Sequence, residues 1–572
     1  MTKIQGKKSG LLGVFRIWGI CTGILLLISV FIPITYGIND DVTMRDIASG
    51  AMSGSPNGHL IFVKFALGSL IAGFYKIFPG VDWYGCIWLG LFCLCISLLL
   101  YRWRYYYVHK KQNFSSFATA FFAIFFILGL EHVVHFQFTI VAAVVAGTAV
   151  FFYNTIDEKK DGKRQAGEYV FVLLLMWTAY CIRSRVFWMA VPFAGLTFLF
   201  KKDSWKRKCG LLVISLAGIA AISGIERLAY SGQEWKDYLE YNQYRANVYD
   251  HYGFPSYEEN AEFYRSIGMK GHDIDNLSRY SLFLIDGIET GKMRQISDYA
   301  KLQQEKNITW LRKVKDGIKC AAKGFFEPEN LYLNLFANGI LCYNLFYELK
   351  KRRKEFFLNL GFLVIEGVIW FYLGYQGRLP ARVGGTLLLL VLLSAWSVFY
   401  QEHQEEMVSE WKSSWVKSIL FVFLMGIAFI NLTVVRQKQT NCFAENKERE
   451  QLEQYFRSHK ANVYFVPTYI LSDYIENFRV FKTFRVSNGF SLGGWSAFMP
   501  LKMAGLEHYG ILNVERAIIE KDNIYMILPN VSTKIGQHYE KNYGAVDWKE
   551  CDRISISGRE LFVFQIIVQE DV

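Results

Sequence analysis

Two short polar motifs mark where this sequence could do chemistry. Asn39-Asp40-Asp41 directly follows the first long apolar block, and Glu131-His132 closes the third. A carboxylate at such a boundary is either a solvated loop charge or a group placed to take a proton from a hydroxyl at the membrane surface. The residues after Asp41 favour a built loop, because 43–50 and 54–59 are polar and rich in glycine and can fold over a membrane into a pocket. Glu131 and His132 add an acid and an imidazole at a helix end; both are assigned to the site. No ligand spacing marks a metal there, so a divalent ion stays open.

Arginines complete the set. Arg183 and Arg185 occupy the tight turn between two apolar blocks, and Arg378 and Arg382 frame Gly377-Arg378-Leu379-Pro380-Ala381-Arg382 between two others. An arginine on the outer side works against retention inside and needs another reason. Its planar fork suits a phosphate group; the alternative is snorkelling to lipid headgroups. Lys64 and Glu366 lie within apolar segments, where charge is costly, and take no role from the sequence.

The elements that must position these residues follow from composition. Of 572 residues, 52% are hydrophobic, 17% aromatic and 20% charged. Disordered, collagenous and coiled-coil classes are excluded, and the apolar residues come in nearly uncharged blocks long enough to cross a bilayer core of ~30 Å. The net charge of +12 is carried by short runs between those blocks, such as Lys159/Lys160/Lys163/Arg164 and Lys350/Lys351/Arg352/Arg353/Lys354. Such runs retain loops on the cytoplasmic side, so the basic balance reads as membrane topology and not as nucleic-acid binding.

Charge parity settles the count. If the segment 60–78 crossed, four basic runs would fall outside; laid along the outer face, it leaves all of them inside. The reading is an α-helical polytopic membrane protein with about eleven spans, near 17–36, 84–101, 114–130, 137–153, 168–182, 186–200, 209–226, 331–347, 356–374, 383–400 and 415–435. The N-terminus is then cytoplasmic, the first block is retained, and the polar mass lies outside. Residues 1–436 form a transmembrane domain with outer loops 37–83 and 227–330. Residues 437–572 form a small extracytoplasmic α/β domain, with strands at 463–466, 524–528 and 561–567 and helices at 514–521 and 532–543. The ten cysteines show no metal spacing; Cys442 and Cys551, both in the tail, could pair.

These features together resemble the GT-C fold membrane glycosyltransferases: an acidic first outer loop with interfacial helices, an acid at the third helix's outer end, a long outer loop after the seventh helix and an outer C-terminal domain. The segments Asn39-Asp40-Asp41, Tyr241-Asn242-Gln243-Tyr244-Arg245-Ala246-Asn247-Val248-Tyr249-Asp250, Gly377-Arg378-Leu379-Pro380-Ala381-Arg382-Val383 and Asn488-Gly489-Phe490-Ser491-Leu492-Gly493-Gly494-Trp495 look like poorly characterised bacterial members of that superfamily. The resemblance implies an enzyme of hexosyltransferase type that moves a sugar from a polyprenyl-phosphate donor to a glycan, lipid or protein acceptor at the outer face of the bacterial cytoplasmic membrane. It maps the catalytic base onto Asp40 or Asp41 and a second acid onto Glu131, although many relatives carry Asp there. It carries nothing onto His132. Arg245 joins Arg183, Arg185, Arg378, Arg382 and His132 as candidate substrate contacts.

The chemistry of the residues agrees with that implication. Displacing a phosphate from an anomeric carbon needs a base for the acceptor hydroxyl and cations for the departing charge. With no second carboxylate required as a covalent nucleophile, a single inverting displacement is the natural route. A lipid-linked-oligosaccharide transporter or flippase is the alternative, disfavoured because no inverted repeat is visible and charges cluster outside instead of mid-membrane. A non-catalytic envelope assembly protein is the third reading.

Overall fold

The computed structural model describes residues 2–109, 121, 124–156, 162–285, 287–307, 309–351, 354–410, 414–468, 478–481, 488–531 and 533–569. Among the described residues, six helices are long and apolar enough to cross a membrane: Leu12–Phe31, Trp83–Trp103, Gln165–Ile182, Trp205–Ala229, Lys354–Tyr375 and Ala381–Tyr400. They match six of the expected spans. Phe138–Asn154 and Ser184–Phe200 match two more but have only 17 residues each. The expected spans near 331–347 and 415–435 fall within the helices Leu331–Lys351 and Ser414–Ser458. Much of the one near 114–130 lies outside the described residues. The segment laid along the surface becomes the helix Phe65–Ile77, whose 13 residues reach only about 20 Å at 1.5 Å each, too short to span.

The helix Phe138–Asn154 is the centre of the bundle. It is apolar all round, so all of it can be buried, and all of it is. It packs against Trp83–His109, Gly162–Ile182, Ser184–Phe200 and Ala381–Glu410. Gly147 permits the last approach: a Cβ there would stand 2.5 Å from Leu393 Cδ1.

Beyond the bundle, five strands form a mixed sheet in the order β4 (Gly489–Ser491), β3 (Val463–Val466), β5 (Ile524–Leu528), β7 (Arg559–Val568), β6 (Val546–Ile556), where β1 (Thr35–Tyr36) and β2 (His135–Phe136) are the earlier strands. The β3 strand runs parallel to β4 and β5, whereas β6 and β7 are an antiparallel hairpin. Its turn places Ser557 and Gly558 at φ 49° and 84°, the left-handed pair that a two-residue hairpin needs. The long segment after the seventh expected span is mostly helical. Its Tyr241, Val248, Leu277, Leu282 and Met293 share one apolar core with Phe465, Met526 and Val563 of the sheet. The expected boundary after residue 436 falls inside the unbroken helix Ser414–Ser458. Cys442 and Cys551 are both free thiols, so the pairing left open by the sequence is not made.

Candidate active site

The acidic motif is part of a helix, Asn39–Ser49, with Asp40 and Asp41 in its first turn. Carboxylates there meet the positive end of the helix dipole. Gly50 ends the helix at φ 85°, and a Cβ on it would sit 2.5 Å from the Ser55 carbonyl carbon. The segment is tied down on both sides. Thr35 and Tyr36 of β1 pair in parallel with His135 and Phe136 of β2. The Tyr36 amide donates to the Phe478 carbonyl at 2.6 Å, and the Val480 amide donates to Ile34 at 3.0 Å. Buried Asp82 accepts from Tyr36 Oη at 2.7 Å, Tyr75 Oη at 2.8 Å, and the amides of Gly85 and Phe481 at 3.1 and 3.0 Å. One carboxylate thus joins the segment after the first long helix to the C-terminal part, a role that nothing in its sequence context signals.

The two aspartates differ. Asp41, which the sequence offered with Asp40 as a candidate base, is wholly buried. Its Oδ1 accepts from Tyr84 Oη at 2.8 Å and from the Phe138 amide at 3.3 Å, while Oδ2 has no hydrogen-bond partner among the described residues. Burial pushes its carboxyl well above the usual range, with Tyr84 and Phe138 opposing and Asp40 adding to the rise. Asp40 is half-buried and faces charge instead. Burial raises its carboxyl, the guanidiniums of Arg382 and Arg183 pull it back, Asp250 raises it, and Arg245 pulls it back again.

Four segments far apart in the chain therefore meet at Asp40. Arg183 sits between the helices Gly162–Ile182 and Ser184–Phe200 with its guanidinium 4.8 Å from the Phe62 ring centre and 5.3 Å from that of Phe138. Burial brings its guanidinium down to about 10, still cationic at neutral pH. Buried Arg245 is held by Asn242 Oδ1 at 2.8 Å and lies over Tyr249. Gly377, at φ 75°, ends the helix Lys354–Tyr375, and Pro380 precedes the helix Ala381–Glu410, so the short turn between presents Arg378 and Arg382. Arg378 pairs with Asp250. Arg185 is exposed and acts on Arg183.

Glu131 and His132 belong to a second, buried cluster. Glu131 Oε2 lies 2.6 Å from His132 Nδ1, and its Oε1 lies 2.8 Å from Lys438 Nζ. Lys438 also reaches Glu329 Oε2 at 2.9 Å, and Tyr332 Oη stands 3.3 Å from both Glu131 Oε2 and His132 Nε2. Burial opposes ionisation of Glu131, but His132 and Lys438 outweigh it and hold the carboxyl far below its usual range. A carboxylate so engaged serves poorly as a proton acceptor and well as a fastener between helices. Lys438 escaped the sequence reading because it looked like one more flanking charge.

The unassigned charges also find partners. Lys64 stands 3.6 Å from Glu226, whose other oxygen accepts from the Phe65 amide at 2.7 Å. Glu366 accepts from Asn338 at 3.3 Å and Trp370 at 3.2 Å. Among the described residues, one group of three His, Cys, Asp or Glu lies within reach of a common metal ion; it is at His272, Asp273 and His538, not at Asp40.

No protein-family model matches the sequence, and neither does any curated protein. Among solved structures, the chain is similar to ArnT from Cupriavidus metallidurans bound to undecaprenyl phosphate, with a TM-score of 0.50 and 9% identity over 96% of this chain and 97% of that one. A likeness that spans both chains nearly end to end at so low an identity speaks for the fold, and it supports the GT-C architecture that the sequence resemblance implied.

Proposed function

We propose that this protein is a membrane glycosyltransferase that moves a sugar from a polyprenyl-phosphate donor to a hydroxyl of an envelope glycan, lipid or protein at the outer face of the bacterial cytoplasmic membrane. The observation that carries the reading is the meeting of one half-buried carboxylate, Asp40, with Arg183, Arg245 and Arg382 at the end of an apolar helical bundle. A binding site for phosphate alone would gain nothing from an acid among its cations. A transferase uses both signs: Asp40 takes the acceptor's hydroxyl proton, the oxygen attacks the anomeric carbon, and the bond to phosphate breaks with its electron pair going to the phosphate oxygen. The arginines balance the charge that develops there.

Asp41 then shapes the site from beneath, and Glu131 with His132 and Lys438 fixes the neighbouring helices without touching the reacting atoms. The prenyl chain would lie along the bundle, which accounts for a site at the membrane boundary. ArnT was crystallised with undecaprenyl phosphate, and a sugar carried on that lipid phosphate is the donor class we assign here. The test is transfer in proteoliposomes loaded with a radiolabelled sugar on undecaprenyl phosphate and an extract of envelope acceptors. The proposal expects release of undecaprenyl phosphate with label passing to acceptor. Passage of intact lipid-linked sugar between leaflets without release would identify a flippase.

A further inference from the structure

We propose that His272, Asp273 and His538 form a site for a divalent transition metal of the zinc class, which fastens the long outer segment to the C-terminal sheet region. The residues come from opposite ends of that shared core. His272 and Asp273 open the helix Gly271–Ser278, and His538 lies in the helix Thr533–Tyr543 packed against it.

The donor atoms converge. His272 Nε2 is 3.5 Å and His538 Nδ1 is 3.7 Å from the same oxygen, Asp273 Oδ1, and all three atoms lie within 4.8 Å of one another. Tetrahedral ligands at zinc bond lengths of 2.0–2.1 Å stand about 3.3–3.4 Å apart, so two edges of the triangle are within a few tenths of an ångström of that spacing. Both imidazoles are almost fully buried, and both of these nitrogens lack a hydrogen-bond partner among the described residues. Two buried, unpartnered nitrogens aimed at one carboxylate oxygen are costly by themselves, and a shared cation satisfies both.

The surroundings fit a ligand role for each group. Asp273 Oδ2 is occupied by the Lys270 amide at 2.8 Å, which turns Oδ1 toward the histidines. His538 Nε2 lies 2.7 Å from buried Glu515 Oε1 and 3.4 Å from Asn542 Nδ2. The shorter contact places the proton on Nε2 and leaves the Nδ1 lone pair bare, the carboxylate–histidine–metal arrangement. An imidazolium at His538 would satisfy Glu515 but would leave His272 Nε2 with nothing to bond. Two nitrogens and one oxygen suit zinc better than magnesium or calcium, and three protein donors leave a place for water.

The site bears on Asp40 through the protein. Tyr249 Oη donates to the Leu277 carbonyl of the same helix, and Tyr249 stacks on Tyr280 at 4.0 Å while lying under Arg245. A metal that holds the helix Gly271–Ser278 therefore helps to hold Arg245.

The measurement is metal content of the full-length chain, purified in detergent with its affinity tag removed, incubated with zinc and desalted. About one zinc per chain is expected for the wild type, and none for His272→Ala or His538→Ala. Glu515→Gln keeps every ligand and should weaken zinc by about 10–100-fold. Because an alanine variant could fail to fold, the wild type is also melted after chelation. Its Tm should fall and return with zinc but not with magnesium. A wild type that retains no zinc, a His272→Ala/His538→Ala double variant that retains a full equivalent, or a Tm indifferent to chelation and zinc would each overturn the proposal. None of these readouts depends on sugar transfer.

Discussion

Replacing Asp40 by asparagine isolates the proton-transfer step. Asparagine keeps the size and one acceptor oxygen but cannot carry off the acceptor's proton. If Asp40 is the base, turnover should fall by about 10²–10⁴-fold, or about 2.7–5.4 kcal/mol of barrier. Donor affinity should hold or tighten, because Arg183, Arg245 and Arg382 then face the phosphate without a competing carboxylate. The pH profile gives a second readout. Burial, the largest influence on Asp40, raises its carboxyl, so the acidic limb of wild-type turnover should lie above the ordinary aspartate value of about 3.9 and vanish in Asp40→Asn. The sign also fixes the stability outcome. A carboxyl raised on folding costs stability once pH exceeds its unfolded value, so Asp40→Asn should not melt earlier at neutral pH. Asp41→Asn is the control: it still offers an oxygen to Tyr84 and to the Phe138 amide and should keep turnover within about tenfold. Rates measured at saturating donor from pH 4.5 to 8 decide. Asp40→Asn turning over at the wild-type rate with the same acidic limb would refute the reasoning and place the base elsewhere.

Arg382→Lys keeps the charge but loses the fork and should weaken undecaprenyl-phosphate binding by about 1.5–3 kcal/mol in a detergent titration, with insertion unaffected. Arg378→Lys should weaken it less, because Arg378 is exposed and already engaged with Asp250; equal affinities in both variants and wild type would return the two arginines to lipid headgroups. Lys438→Met removes the cation shared by Glu131 and Glu329 and should lower stability by about 1–3 kcal/mol, read as a lower Tm, with Glu131→Gln restoring part of the loss in the double variant. In a cysteine-free background, exposed Ser55→Cys and Ser256→Cys should react with an impermeant thiol reagent from outside and Ser204→Cys should not; the reverse pattern would overturn the charge-parity topology.

The six long apolar helices were legible because a bilayer demands about twenty consecutive apolar residues, and that demand is written locally in the chain. The turn between Gly377 and Arg382 was legible for a similar reason, since glycine and proline report backbone geometry directly. The strands at 463–466 and 524–528 appeared where apolar runs placed them. The arginines that broke the charge pattern, Arg183 and Arg382, are among the cations that act on Asp40.

Which charges meet was not legible. Asp40, Arg183, Arg245 and Arg382 lie on four segments whose convergence depends on how the helices pack around Phe138–Asn154, and no local pattern encodes that. Asp40 and Asp41 are neighbours of one type, yet helix geometry turns one toward the arginines and the other under Tyr84 and the Phe138 amide. His272 and His538 passed unnoticed because a ligand pair drawn from distant helices has no spacing signature. Which segments are apolar and where the chain turns could be read from the residues alone, since these follow from each residue's preference for water or hydrocarbon and from the backbone geometry of glycine and proline. Which carboxylate is buried, which is paired and which faces the cations came from the fold, because desolvation and Coulomb energies depend on distances between side chains that the chain brings together only when folded.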